Sequence, residues 1–200
     1  MYSIHNQIED KILSLKKGSI LFITDFAEFG TSENVKKVLL RLEKKEVLIR
    51  LAHGIYLYPR TDKILGTLFP STEDIAKAIA KRDKARIIST GSYALQQLGI
   101  STQIPMNIVY LTDGAPRKIQ IGKRTITFKK TTPKNLTIKD RIMNNIVQGL
   151  KELGKGNVDN TAKSQIKKAL KRVPFENIKE DSNAAPVWIK EQILELISEN

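Results

Sequence analysis

Apolar residues recur at helical spacing in two stretches of the first fifty positions. The first predicts a helix over residues 3–16, ended by Gly18, with apolar positions at Ile4, Ile8, Ile12, Leu13 and Leu15. The second predicts a helix over residues 33–46, with a buried stripe of Val35, Val38, Leu39 and Leu42. Between them, a short β-like run precedes a brief helix that begins near Thr24 or Asp25, and the turn Gly30-Thr31-Ser32 follows it.

A strongly apolar run follows the second of these helices. The segments "VLIRL" and "IYLYP" flank Ala52-His53-Gly54, where Gly54 can supply the positive φ that a three-residue hairpin loop needs. The first sixty residues therefore predict helix, short strand, helix, tight turn, helix and hairpin. This is the element order of a winged helix-turn-helix, whose third helix enters the DNA major groove while the hairpin contacts the backbone.

Strand and helix signals alternate in the middle of the chain. Residues 60–71 look like a connector, and a helix capped by Ser71 or Thr72 runs to about Lys81. Two buried strands, "ARIIST" and "NIVYLT", enclose a short helix, "SYALQQLG", for which Ser92 is the expected cap. The segment "RKIQIGKRTITFKK" alternates apolar and polar residues about Gly122-Lys123, which predicts a β-hairpin.

The pattern is helical from residue 136 onward. It predicts helices over residues 138–153, 161–173 and 186–197, with breaks at 154–160 and at Pro174. The sequence thus predicts an α+β protein in three parts. These are a winged helix-turn-helix at 1–61, a small basic α/β domain at 62–135, and a helical extension at 136–200 packed on the α/β domain.

Composition narrows the function classes. The chain has no Cys, which excludes a disulfide framework, a zinc ribbon and a thiol nucleophile. Its net charge of +13 favours polyanionic partners. Residues 61–135 are the most cationic, with 13 Lys+Arg against 5 Asp+Glu.

Targeting signals are not visible in the sequence. The N-terminal stretch is amphipathic and carries Glu9 and Asp10, unlike a secretory or transit peptide. No run approaches the roughly 18 apolar residues that a membrane span requires. We therefore expect a cytoplasmic protein that does not bind membranes.

Candidate DNA-contacting residues lie on the second predicted long helix. Asn34, Lys37 and Arg41 occupy positions i, i+3 and i+7, where they could reach base edges or phosphates together. A solvated helix face explains such a stripe when it is taken alone, but the preceding turn and the following hairpin favour DNA binding. His53, at the hairpin tip, is either a turn residue or a phosphate contact, and the sequence leaves both open.

The sequence does not contain the residue combinations that are typical of catalytic or metal sites. The two histidines, His5 and His53, lie in different predicted elements, so a metal site is not expected. Gly91-Ser92 after a strand is typical of the start of a nucleotidyltransferase motif, but the paired aspartates that should follow are replaced by "QLGISTQIPMN". No phosphate-binding glycine loop or nucleophile elbow occurs. We expect neither enzymatic activity nor a cofactor.

A second cationic feature is the hairpin of the middle part. Alternation can place Lys118 and Gln120 on one polar face with Thr125, Thr127 and Lys129. This is either a solvated sheet face or a platform for nucleic acid or an acidic partner. The basic residues of this predicted partner surface are Arg117, Lys118, Lys123, Arg124, Lys129 and Lys130.

Several of these segments resemble the AbiEi-type antitoxins of type IV toxin–antitoxin (abortive infection) systems. They are Asp25-Phe26, the Gly30 turn, "VLLRLEKKEVLIRLAHGIYLYP", "TGSYALQQLGISTQIP" and "YLTDGAPRKIQIGKRTITFKK". The resemblance covers about residues 5–135, and the block that contains Leu98-Gly99 and Pro105 is its more specific part.

The resemblance implies a two-part antitoxin. Its N-terminal winged helix would bind inverted repeats in its own promoter as double-stranded DNA and repress the operon. Its C-terminal part would oppose a neighbouring nucleotidyltransferase-like toxin without necessarily forming a stable complex. Together with the helix pattern, this predicts DNA contacts at Thr31, Ser32, Asn34, Lys36, Lys37, Arg41, Lys44 and His53.

Two alternatives remain open from the sequence. One is a plain winged-helix transcriptional regulator in which the middle part senses a ligand or dimerises. The other is an accessory protein whose basic middle part binds RNA, with the winged helix used for protein contacts.

Overall fold

The structure is a computed structural model that describes residues 3–198, apart from the side chain of Lys134. It confirms the expected mixed α+β class. The described α-helices are Ile4–Ser14 (α1), Ser32–Lys44 (α2), Thr72–Arg82 (α3), Gly91–Gln97 (α4), Arg141–Leu153 (α5), Asn160–Leu170 (α6), Phe175–Ser182 (α7) and Val187–Ser198 (α8). The described strands are Ile20–Phe22 (β1), Ile49–Ala52 (β2), Ile55–Leu57 (β3), Arg60–Asp62 (β4), Gly66–Leu68 (β5), Ile87–Ser89 (β6), Asn107–Thr112 (β7), Arg117–Ile121 (β8) and Arg124–Lys130 (β9).

The chain forms two compact units. The first comprises the residues up to Ala78 together with residues 120–122, and the second comprises residues 79–119 and those from 123 onward. The predicted three-part division at residues 61 and 135 stays a prediction. In the described part of the chain, no helix is long and apolar enough to cross a membrane.

An antiparallel sheet of order β1-β3-β2 organises the first unit. β1 pairs with β3 from Ile20↔Leu57 to Phe22↔Ile55. Because Ala52 pairs with Ile55, the β2–β3 loop is only His53-Gly54, and the predicted three-residue loop is wrong. Gly54 has the expected positive φ, of 71°.

The helices of the first unit bury the residues that the pattern selected. All four stripe residues of α2 are buried, and they share a core with Ile8, Ile12, Leu21, Phe26, Leu48 and Tyr56. Thr31 caps α2, with its Oγ1 accepting from Asn34 N at 3.3 Å. The brief helix expected near Asp25 is a 3₁₀ segment, Ile23–Phe29, in which Asp25 Oδ2 accepts from Phe22 N at 2.8 Å.

The expected connector over residues 60–71 contains a second hairpin, β4–β5. Asp62 Oδ1 accepts from the backbone N–H groups of Ile64 and Leu65, at 2.8 and 3.0 Å, which turns the chain locally. These bonds, that to Leu65 foremost, hold the pKa of the Asp62 carboxyl below its usual range. Each strand has only three residues, and Ile64 in the turn is 92% exposed. The sequence therefore has no alternation of buried and exposed residues from which this hairpin could be predicted.

A further sheet has four strands in the order β6-β7-β9-β8. The expected β8–β9 hairpin is present, but β9 also pairs with β7, in parallel, from Asn107↔Thr125 to Thr112↔Lys130. Tyr110 and Phe128 stack at a centroid distance of 6.0 Å on the buried side of this pair. Thr90, rather than the expected Ser92, is the N-cap residue of α4.

Four helices, α5 to α8, build the remainder of the described chain, whereas three were expected. Pro174 is the N-cap residue of the additional helix α7, which begins at Phe175, and therefore does more than break the chain. α7 carries the buried Asp181, whose carboxylate accepts from Lys139 N at 3.0 Å and Asp140 N at 2.9 Å. α5 therefore begins at Arg141, three residues later than expected.

Candidate nucleic-acid interface

One exposed side of α2 carries half of the predicted DNA-contacting residues. At 100° per residue, the side chains of four of them fall within an arc of about 80° around the helix axis. These four, called the α2 strip below, are Asn34, Lys37, Arg41 and Lys44, and all are exposed. They extend over about 15 Å of helix at 1.5 Å per residue.

The other predicted contacts on this helix lie elsewhere. Lys36 is exposed but about 140° away from Arg41 around the axis, so a flat surface does not reach both. Thr31 and Ser32 form the start of the helix, and the Thr31 hydroxyl is engaged as its cap. Leu40, which is 44% exposed, flanks the α2 strip.

An acidic residue interrupts this cationic side. Glu33 lies one turn before Lys37, and its Oε1 is 3.7 Å from Lys37 Nζ. Both side chains are largely exposed, so the ion pair contributes little to stability. Glu33 therefore reduces the positive potential at the start of the α2 strip without locking Lys37 in place.

The tip of the β2–β3 hairpin holds a cation that the sequence reasoning missed. Arg50 Nη2 lies 3.2 Å from His53 Nδ1, and Arg50 Nε donates to the Ala52 carbonyl at 3.4 Å. Because a guanidinium only donates, Nδ1 acts as the acceptor and the His53 ring carries its hydrogen on Nε2. Strand alternation could have revealed Arg50, since it is the exposed residue of β2.

Two charged residues, Arg50 on β2 and Glu43 on α2, influence the buried Tyr56. Arg50 pairs in register with Tyr56, whose side chain is buried. Burial raises the pKa of the Tyr56 phenol, the Arg50 cation opposes this shift, and the Glu43 carboxylate adds to it. Glu43 Oε2 is buried without a hydrogen-bond partner in the described part of the chain. The Arg50 cation and the Glu43 carboxylate therefore act in opposite directions on the same buried phenol.

The predicted basic surface of the second unit is not one face. Arg117 forms an ion pair with Asp83, and its guanidinium lies 5.4 Å from the centre of the Phe128 ring. Burial, followed by the nearby Arg82 cation, lowers the pKa of Arg117. Arg117 is therefore a structural residue of the sheet rather than an open contact.

The other five cations of this surface are exposed. Lys118 alternates with half-buried Ile119 on β8. On β9, Lys129 lies on the same side as the half-buried Thr127, whereas Arg124 and Lys130 lie on the same side as the buried Phe128. Lys123 lies in the turn. The structure thus divides these charges between two sides of the sheet.

Metal-binding geometry is not found in the described residues, where no three His, Asp or Glu side chains gather. His5 Nε2 instead lies 3.4 Å from Glu9 Oε2 on α1, while His53 lies at the hairpin tip.

Comparison with protein families gives one finding. The model of a family of unknown function, DUF6088, matches residues 7–178 of the chain. The search of curated proteins gave no match. The matched range covers most of each unit, including the segments of this chain that form α2, the β2–β3 hairpin and most of the helical part.

Proposed function

We propose that this member of DUF6088, a family of unknown function, is a DNA-binding autorepressor. The proposal rests on the geometry of the first unit. In this proposal the first unit is a winged helix-turn-helix that binds inverted repeats in its own promoter, in the cytoplasm. The chain carries out no catalytic step and needs no metal or cofactor.

One observation carries the DNA-binding proposal. α2 buries one complete face while it exposes the α2 strip on the other, and the next element is a hairpin with Arg50 and His53 at its tip. The order of elements and the sheet order β1-β3-β2 support a winged helix, in which these are the two DNA-contacting parts.

The chemistry of each part follows from its donors. Arg41 can donate two hydrogen bonds to a guanine edge, and Asn34 can pair with an adenine edge, so both suit sequence recognition. Lys37 and Lys44 suit phosphates, which set affinity more than specificity. At the tip, Arg50 and the Nε2–H of His53 supply donors for the backbone of the adjacent groove.

Footprinting on the DNA upstream of the protein's own gene tests this proposal. We expect protection of an inverted repeat at protein concentrations that leave a scrambled duplex free, at about 0.15 M salt. Equal affinity for the scrambled duplex would contradict the operator proposal.

We further propose that the protein is the antitoxin of a type IV toxin–antitoxin system. Support comes from the resemblance of "TGSYALQQLGISTQIP" and the neighbouring segments to AbiEi-type antitoxins. The toxin would be nucleotidyltransferase-like, and antagonism would not require a stable complex.

The antitoxin proposal is tested separately from DNA binding. Co-expression of the full chain with the product of the adjacent gene should restore growth if that product is a nucleotidyltransferase-like toxin. A full chain with both Lys37 and Arg41 changed to Gln should still restore growth when both genes have foreign promoters. Failure of the unchanged chain to restore growth would contradict the antitoxin proposal and leave the repressor proposal standing.

A further inference from the structure

A pocket of about 140 Å³ opens within the second unit, among α4, α5 and the end of α6. Its volume is comparable with cavities of about 150 Å³ that hold one benzene-sized molecule. Three cations and three amides line it, over a partly apolar floor, and no carboxylate of the described residues does. The lining residues are Gln97, Leu98, Arg141, Ile142, Asn145, Gln165, Lys168, Ala169 and Arg172.

The cations come from two different helices. Gln165, Lys168 and Arg172 are spaced i, i+3 and i+7, so they follow one side of α6 and its last turn. Arg141 comes from the opposite wall, as the first residue of α5. The convergence therefore depends on tertiary packing and not on one charged helix face.

The helix dipoles do not favour all three cations. Lys168 and Arg172 lie near the C-terminus of α6, where the helix dipole favours positive charge. Arg141 lies at the N-terminus of α5, where the dipole disfavours it. In the described chain, no carboxylate forms an ion pair with Lys168 or Arg172.

The acid closest to Arg141 in sequence is already engaged. Asp140 Oδ1 accepts from Ile142 N at 2.7 Å and from Met143 N at 3.0 Å, as the cap of α5. Its carboxylate caps the helix and is not among the residues that line the pocket.

A buried amide completes the site. Asn145 lines the pocket although only 7% of its surface is exposed. Ser89 Oγ donates to Asn145 Oδ1 at 2.5 Å, which fixes the amide and leaves its NH₂ group to donate into the pocket. A fixed donor next to three cations suits an anion with several oxygen acceptors.

We propose that this pocket binds the phosphate group of a phosphorylated small molecule. A phosphate carries up to two negative charges and accepts from several donors at once, which matches cations on two walls and a fixed amide between them. A carboxylate has two oxygens and one charge, so it would pair with only some of the cations and donors that line the pocket. The site lies outside the proposed DNA-contacting residues and does not rest on the DNA-binding proposal.

Calorimetric titration of the full chain tests the site, with inorganic phosphate, AMP and adenosine as the probes. At about 0.15 M ionic strength we expect a Kd below about 1 mM for at least one of the two phosphate-bearing probes and no binding of adenosine. Tighter binding of AMP identifies a nucleotide as the source of the phosphate group, and tighter binding of inorganic phosphate identifies the free ion. Adenosine binding as well as AMP would overturn the proposal, as would no binding of either phosphate-bearing probe.

A matched pair of variants separates the pocket from the general positive charge. Lys168→Gln with Arg172→Gln should weaken binding at least tenfold, because the variant cannot form the charge-assisted hydrogen bonds to the phosphate. Lys163→Gln with Lys171→Gln removes the same charge from the same helix outside the pocket, and should change the Kd by less than about twofold. Equal weakening in the two variants would overturn the proposal. Arg172→Lys, which keeps the charge, should retain more binding than Arg172→Gln and shows that the effect is not misfolding.

Discussion

Arg50 and His53 are joined across the turn of the β2–β3 hairpin, with Arg50 Nη2 3.2 Å from His53 Nδ1. This contact places a cation beside the exposed His53 ring and leaves its other nitrogen, Nε2, outside the pair. The hairpin tip is therefore more than a tight turn, because two side chains there are oriented together.

This pair gives a prediction for the hairpin. Arg50→Gln should weaken operator binding about tenfold, since it removes one charge-assisted hydrogen bond to DNA and releases His53. Arg60→Gln is the matched control, because Arg60 lies next to Gly18, at the end of the sheet away from the tip. Fluorescence anisotropy with the footprinted repeat measures both, and equal weakening would contradict a DNA-contacting tip.

Glu33 should limit the affinity for DNA. Glu33→Gln removes the carboxylate next to Lys37 and should tighten DNA binding about two- to fivefold, an effect of roughly 0.5–1 kcal/mol. The change should also lower the free energy of unfolding by about 0.5 kcal/mol, because an acid in the first turn stabilises a helix. Glu46→Gln, just past the end of α2, is the charge-matched control. If it raises affinity equally, the position of Glu33 has no special effect.

Asp181 should be the main polar support for the start of α5. Asp181→Asn keeps one acceptor oxygen, removes the second and the charge, and should lower the free energy of unfolding by about 1–3 kcal/mol. Its neighbour Glu180 is exposed and only 3.6 Å from Lys139 Nζ, so Glu180→Gln should cost less than about 0.5 kcal/mol. Urea unfolding measures the difference, and similar values for the two variants would contradict the assigned role.

Tyr56 should make the first unit sensitive to alkali. Because folding raises the pKa of this phenol, its neutral form is favoured in the folded state. The stabilisation is full below the ordinary tyrosine pKa of about 10 and is lost as the pH rises through the higher folded pKa. Between about pH 9 and pH 11, the free energy of unfolding should therefore fall more for the unchanged chain than for Tyr56→Phe. Parallel pH curves would show that Tyr56 does not contribute.

Local patterns explain why parts of the fold could be predicted. The α2 stripe was correct because all four residues pack into one core, and the hairpins at Gly54 and Gly122 were located by glycines that adopt positive φ, 71° and 56°. In each case the signal lies within about fifteen residues of sequence.

The missed features depend on other interactions. The β4–β5 hairpin is set by the Asp62 side chain rather than by burial, and α7 begins after a proline that the sequence also allows as a simple break. The parallel β7–β9 pairing joins strands with β8 between them in sequence, so no local pattern encodes it. The pocket likewise joins residues as distant as Gln97 and Arg172.

The α2 strip offers the most direct test of the central proposal, through the salt dependence of operator binding. Lys37→Gln with Arg41→Gln should weaken binding by about 1–3 kcal/mol for each base that the variant no longer reads, or reduce the slope of log K against log salt by about 0.9 for each phosphate that it no longer neutralises. Lys16→Gln with Lys17→Gln removes the same charge next to Gly18, at the far end of the sheet, and should leave both quantities nearly unchanged. A large, selective decrease of affinity in the first variant is the predicted result. Equal decreases in the two variants, or unchanged binding in the first, would contradict DNA recognition by α2.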